Sequence, residues 1–202
     1  MRTARWSRVL PLLALATLVP GGSSWVDGRV PAHPASGAEV SERVEGPSLV
    51  VLVRHAEKAE APADDPPLSA EGVLRAEALA RTLRDAGITR IHSSDTRRTL
   101  ETAAPLAERL GIEVELYDPR DLPGAAARLR DLPGRHLVVG HSNTTDVLSG
   151  LLGGETYGEI VEAWEYDRLY LLTPRPDLPG TRPGSGGFET VLLRFGAPVQ
   201  AP

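Results

Sequence analysis

Two short apolar runs, residues 49–53 (LVVLV) and 137–139 (LVV), each lead straight into a turn that carries a histidine. Runs that are continuous and β-branched, rather than alternating, belong to strands buried on both faces. Such strands need helices above and below them, which restricts the chain to a few layered architectures. The helices are legible as well. Ser69 reads as the N-cap of a helix over 71–85, in which Val73, Leu74, Ala76, Leu79, Ala80 and Leu83 recur at helical spacing before Gly87. Further helices are expected over 97–110, ended by Gly111, over 125–132, and over 144–152, ended by Gly153 and Gly154. Strands are expected over 90–92, 113–116, 168–173 and 189–195. This alternation predicts a three-layer α/β/α domain over 48–197, with a mainly parallel central sheet flanked by helices and joined by right-handed crossovers.

The N-terminus has a different character. Arg2, Arg5 and Arg8 precede an apolar run over 9–19 and then Pro20-Gly21-Gly22-Ser23-Ser24, the order of a secretory signal, here placed over 1–24. The run is about half the length a bilayer crossing needs, so stable membrane insertion is not expected. Residues 25–47, rich in Gly, Pro, Ala and Ser without apolar periodicity, read as a linker. The expectation is an exported bacterial protein, periplasmic or secreted. The absence of cysteine excludes disulfides, thiolate metal sites and a cysteine nucleophile, and a net charge of -5 argues against a nucleic-acid partner.

In open α/β sheets ligands bind outside the carboxyl ends of the strands. One histidine-bearing turn is Arg54-His55-Ala56-Glu57-Lys58 and the other is Gly140-His141-Ser142-Asn143-Thr144. If the two strands are parallel and central, both imidazoles face one crevice. Ser94-Asp95-Thr96-Arg97-Arg98-Thr99 follows the strand over 90–92 and opens a helix, adding guanidinium groups and helix-terminal N–H donors at the same edge. A guanidinium fork matches phosphate oxygens two at a time. One neutral imidazole can attack phosphorus to give a phosphohistidine that water then hydrolyses, a route that needs neither metal nor cofactor. Zinc held by His55 and His141 with Asp95 or Asp121 is the chemical rival. The neighbouring arginines would repel such a cation and attract phosphate.

Arg54-His55-Ala56 resembles the arginine-histidine-glycine signature of the histidine phosphatase superfamily, the phosphoglycerate-mutase-like proteins, in the members with alanine in third place. Ser94 to Ala103 is similar to that family's Ser, Arg four on, Thr four further on, which singles out Arg98. Gly140-His141-Ser142 resembles its second-histidine motif, and Leu68-Ser69-Ala70-Glu71-Gly72 the turn before its first helix. The likeness runs over about 49–172 and points to the short bacterial phosphatases. It implies that His55 accepts the phosphoryl group and that Arg54, Arg98 and His141 bind it.

Many members carry a glutamate as general acid after the third strand, where this chain reads Tyr117-Asp118-Pro119-Arg120-Asp121. Asp118 and Asp121 are therefore candidate acids, with Glu57 and Glu155 behind them. The chain lacks a sizeable insertion to enclose a bisphosphate, which favours a phosphomonoesterase acting on a small phosphorylated substrate. The alternatives are a phosphomutase and a non-catalytic module that binds a phosphoryl ligand. Ser142, Asn143 and Thr144 read first as caps of the next helix, with Ser142 also a candidate phosphate donor. Arg97 reads as a solvated helix residue, His92 and His136 as structural, Trp164 and Tyr166 as packing residues, and Lys58 as either a pocket cation or a loop charge.

Overall fold

In strand β1 (Pro47–Arg54) successive side chains point to opposite faces, and both faces are apolar. Val51 and Val53 enter one cluster with Leu79, Leu83, Ala103 and Leu106, whereas Val50 and Leu52 enter a second with Ala126, Leu129, Leu148 and Leu152. Helices α1 (Ala70–Leu83) and α2 (Arg97–Leu110) supply the first cluster, and α3 (Leu122–Asp131) and α4 (Thr145–Leu151) the second, with Leu152 just beyond it. The result is the expected three layers. Val50 to Val53 are at most 1% exposed, and burying each such side chain contributes about 1.5–3 kcal/mol.

This computed structural model describes residues 47–176, 179 and 186–199. The signal read over 1–24 and the lead-in over 25–46 lie outside the described residues. Pro47, read from the sequence as the last linker residue, already pairs with Gly134 as the first residue of β1. The remaining strands are β2 (Arg90–Ser93), β3 (Val114–Leu116), β4 (Gly134–Gly140), β5 (Arg168–Pro174) and β6 (Phe188–Arg194). They form one sheet in the order β3-β2-β4-β1-β5-β6. The first four are mutually parallel, β5 runs antiparallel to β1, and β6 antiparallel to β5. Among the described residues no helix is long and apolar enough to cross a membrane.

Local signals set the helix ends. The Ser69 side chain accepts a hydrogen bond from Gly72 N, as its N-cap position requires, and Gly111 ends α2 in the left-handed conformation at φ 65°. Helix α3 begins at Leu122, three residues earlier than the sequence pattern suggests. Asp121 caps it by accepting from Gly124 N, and Pro123 sits in the first turn, where a missing N–H costs nothing. Pro123 and Gly124 read as a turn in the sequence, yet they open the helix. His92 and His136 form a buried stacked pair, ring centroids 5.2 Å apart and Nε2 to Nδ1 2.9 Å, with His136 Nε2 also 3.1 Å from Leu132 O. Both are structural, as their positions in the sequence suggest.

One close approach ties this frame to the turn after β1. A Cβ on Gly72 would lie 2.1 Å from the carbonyl oxygen of Glu57, which also accepts from Ser69 N. Both sides of that contact are backbone, so no rotamer change relieves it. Gly72→Ala is expected to destabilise the fold by about 1–3 kcal/mol through this overpacking. Urea unfolding of the variant beside the parent chain measures the loss.

Candidate active site

The parallel register of β1 with β4 places Arg54 opposite Gly140, and His55 N donates to Gly140 O at 2.9 Å. His55 and His141 therefore leave adjacent strand ends together, their ring centroids 5.5 Å apart at 68°. His55 is 4% exposed and its Nδ1 lies 2.7 Å from Ala56 O. A carbonyl only accepts, so Nδ1 carries the proton and the lone pair is on Nε2. Burial pushes the His55 pKa down to about 3, the charges of Arg54 and Arg98 push the same way, and the Ala56 carbonyl opposes them. His141 is lowered to about 4, first by burial and then by Arg98 and Arg54. Both rings are thus neutral at pH 7.

His141 is held from two sides. Ser94 Oγ, at the end of β2, lies 2.8 Å from its Nε2 and 3.1 Å from Thr99 Oγ1. At the start of α4, Thr144 Oγ1 accepts from His141 N at 2.9 Å and Thr145 Oγ1 donates to His141 O at 2.8 Å. The Thr144 side chain makes no bond to the helix N-terminus, so its role is to fix the histidine backbone rather than to cap.

Arg54 is 1% exposed, and a buried guanidinium needs acceptors. It finds three backbone carbonyls: Nη2 donates to Glu162 O at 2.8 Å, and Nη1 to Glu165 O at 3.1 Å and Val161 O at 3.3 Å. Its Cζ lies 4.0 Å over the Tyr166 ring. Arg98 projects from the first turn of α2, with Nη1 3.8 Å from Asp65 Oδ1. Among the described residues, the only buried side-chain nitrogen or oxygen atoms without a hydrogen-bond partner are Nε of Arg54 and Nε of Arg98. One turn beyond Arg98, Thr102 Oγ1 donates to Arg98 O at 2.7 Å and accepts from Ala56 N at 3.0 Å, joining α2 to the turn after His55. Arg97 faces away and pairs with Glu101 at 2.8 Å.

These groups surround a crevice of about 410 Å³, lined by His55, Arg98, His141 and Ser142 and rimmed by Lys58, Arg120 and Glu162, with Arg54 behind the wall. The structure brings together the histidines, Arg98 and Ser142 singled out in the sequence. It does not bring the acid candidates there. Glu57 is paired with Arg75 at 2.7 Å, Asp121 caps α3, Asp118 accepts from Arg120 N at 2.9 Å, and Glu155 is engaged by Arg175 and by Thr190 N. Sequence reasoning missed Glu162 and the place of Tyr166, whose ring lies 6.1 Å from that of His55. Both sit in the irregular stretch between α4 and β5, where no periodicity marks a position. Lys58 proves to be a crevice cation, 3.6 Å from Glu162.

A sequence model described as the histidine phosphatase superfamily (branch 1) matches residues 50–119, a span that holds Arg54, His55 and Arg98. That span is about a third of the chain, and over it the sequence is similar to the histidine phosphatase superfamily. A probable phosphoglycerate mutase of Proteus mirabilis is 42% identical over 77 residues, which is 35% of this chain and 35% of that protein. Among solved structures, a mycobacterial glucosyl-3-phosphoglycerate phosphatase shares the fold with a TM-score of 0.52 at 18% identity, over 74% of this chain and 99% of its own. The protein histidine phosphatase SixA complexed with tungstate does so with a TM-score of 0.53 at 18% identity, over 72% and 96%.

The depressed histidines couple the site to stability. An unfolded imidazole takes up a proton near pH 6.5, whereas His55, His92 and His141 in the fold do so only near 3 to 4. Between those values the unfolded chain binds more protons, so stability falls as pH drops from about 6.5 toward 4 and is flat above 7. Urea midpoints at pH 7.5, 6 and 5 are expected to decrease in that order.

Proposed function

We propose that this chain is a phosphomonoesterase that carries the phosphoryl group of its substrate on Nε2 of His55. The observation that carries this reading is a buried neutral imidazole, its Nδ1 hydrogen tied to Ala56 O, on a crevice also lined by Arg98, whose buried Nε–H has no acceptor. A buried donor left unpaired costs about 1–3 kcal/mol, and a phosphoryl oxygen is the acceptor such a crevice would receive. The neutral ring supplies the in-line nucleophile. Arg98, His141 and Ser142 bind the equatorial oxygens, and Arg54 adds its positive charge from behind the wall. The new P–Nε2 bond replaces the ester P–O bond, and water then breaks it to release phosphate.

Hydrolysis is favoured over return of the group to a second acceptor, because the rim side chains Lys58 and Glu162 are 42% and 68% exposed and the crevice opens to water. The names of the solved relatives, a sugar-phosphoglycerate phosphatase and a protein histidine phosphatase, agree with this chemistry on a small phosphorylated substrate. The signal read over 1–24 would place the activity outside the cytoplasm.

Release of phosphate from p-nitrophenyl phosphate, followed with EDTA present, tests the reading. The parent chain is expected to turn over with or without the chelator, and His55→Ala to lose about 10³-fold or more in kcat. Full activity in His55→Ala would refute the proposal.

A further inference from the structure

Breaking the P–O bond of an alkyl ester leaves an alkoxide, which needs a proton as it departs. Glu57, Asp118 and Asp121 are engaged by Arg75, by Arg120 N and by the start of α3. The one carboxylate lining the crevice among the described residues is Glu162, from the loop between α4 and β5. Its backbone is fixed with unusual care for a loop. Arg54 Nη2 donates to its carbonyl at 2.8 Å, and Glu165 Oε2 accepts from Val161 N at 3.1 Å. Glu165 is itself anchored by Arg168 at 2.7 Å and Arg194 at 2.9 Å. The buried arginine behind the nucleophile therefore sets the position of the carboxylate at the rim. The Glu162 side chain stays 68% exposed, with Lys58 Nζ at 3.6 Å as its ion-pair partner. When ionised it works against the burial that lowers the pKa of Arg54 and of His141.

We propose that Glu162 is the proton donor to the leaving oxygen and the proton acceptor from the attacking water. In the first step the P–Nε2 bond to His55 forms, the P–O bond breaks, and the Glu162 carboxyl proton passes to the leaving oxygen. In the second step water adds to phosphorus, its proton returns to Glu162, and the P–N bond breaks, which restores His55 and the carboxyl group. The assignment rests on the reading that His55 carries the phosphoryl group.

Leaving-group dependence separates a proton donor from a residue that only shapes the rim. kcat/KM is measured for the parent chain, Glu162→Gln and His55→Ala on p-nitrophenyl phosphate, whose phenolate leaves without a proton, and on a panel of simple alkyl phosphates. Gln keeps the shape and an oxygen for Lys58 but has no proton to give. Glu162→Gln is expected to lose about 10²-fold or more on the alkyl esters and at least about tenfold less than that on the aryl ester, with Glu162→Asp recovering part of the alkyl-ester loss. An equal effect on both ester types, or none on the alkyl esters, would overturn the assignment of Glu162 while leaving His55 in place. Activity in His55→Ala, or no turnover of any ester by the parent chain, would overturn the underlying reading and this assignment with it.

Discussion

The parallel pairing of β1 with β4 is the contact on which the site depends. Because the two strands run in the same direction and in register from Val50 with His136 to Arg54 with Gly140, their histidine-bearing turns emerge at one edge. The hydrogen bond from His55 N to Gly140 O extends the ladder by one step, into the turn that carries the first histidine. Parallel strands of this kind are viable only with both faces covered. The two apolar clusters and their helix pairs thus do more than stabilise the domain. They hold two imidazoles at a fixed separation.

The second constraint is the buried guanidinium of Arg54. Removing such a charge from water is costly unless its donors are matched, and here three carbonyls and the Tyr166 ring face meet it. All of those partners lie in the loop between α4 and β5. The arginine next to His55 therefore determines the shape of the opposite wall, and the loop arrives already aligned to the crevice. The neutral state of the histidines follows from the same burial and the same cationic field.

Most of this frame was legible in the chain. The continuous β-branched runs announced central strands, Ser69 and Gly111 marked helix ends, and the order of the histidine and arginine turns placed His55, Arg98 and His141 at one edge. What was not legible has physical causes. The start of α3 was hidden because Pro123 and Gly124 suit a turn as well as a first helical turn, and only the Asp121 cap decides between them. Glu162 and Tyr166 were hidden because their loop is held by backbone carbonyls that accept from an arginine more than a hundred residues away. A carbonyl is the same in every residue, so such a contact leaves no mark in the sequence. The acid candidates near Asp118 were plausible by position, and their side chains serve a turn and a cap.

The central claim is that a phosphoryl group resides on His55 during turnover. The most direct measurement is rapid acid-free quenching of the parent chain during turnover of an aryl phosphate, followed by peptide mass analysis. The account predicts a phosphoryl adduct on the peptide containing His55, stable in base, labile in acid and absent from His55→Ala. An adduct on another residue, or turnover with phosphate release and no adduct under conditions where its breakdown is rate-limiting, would contradict it.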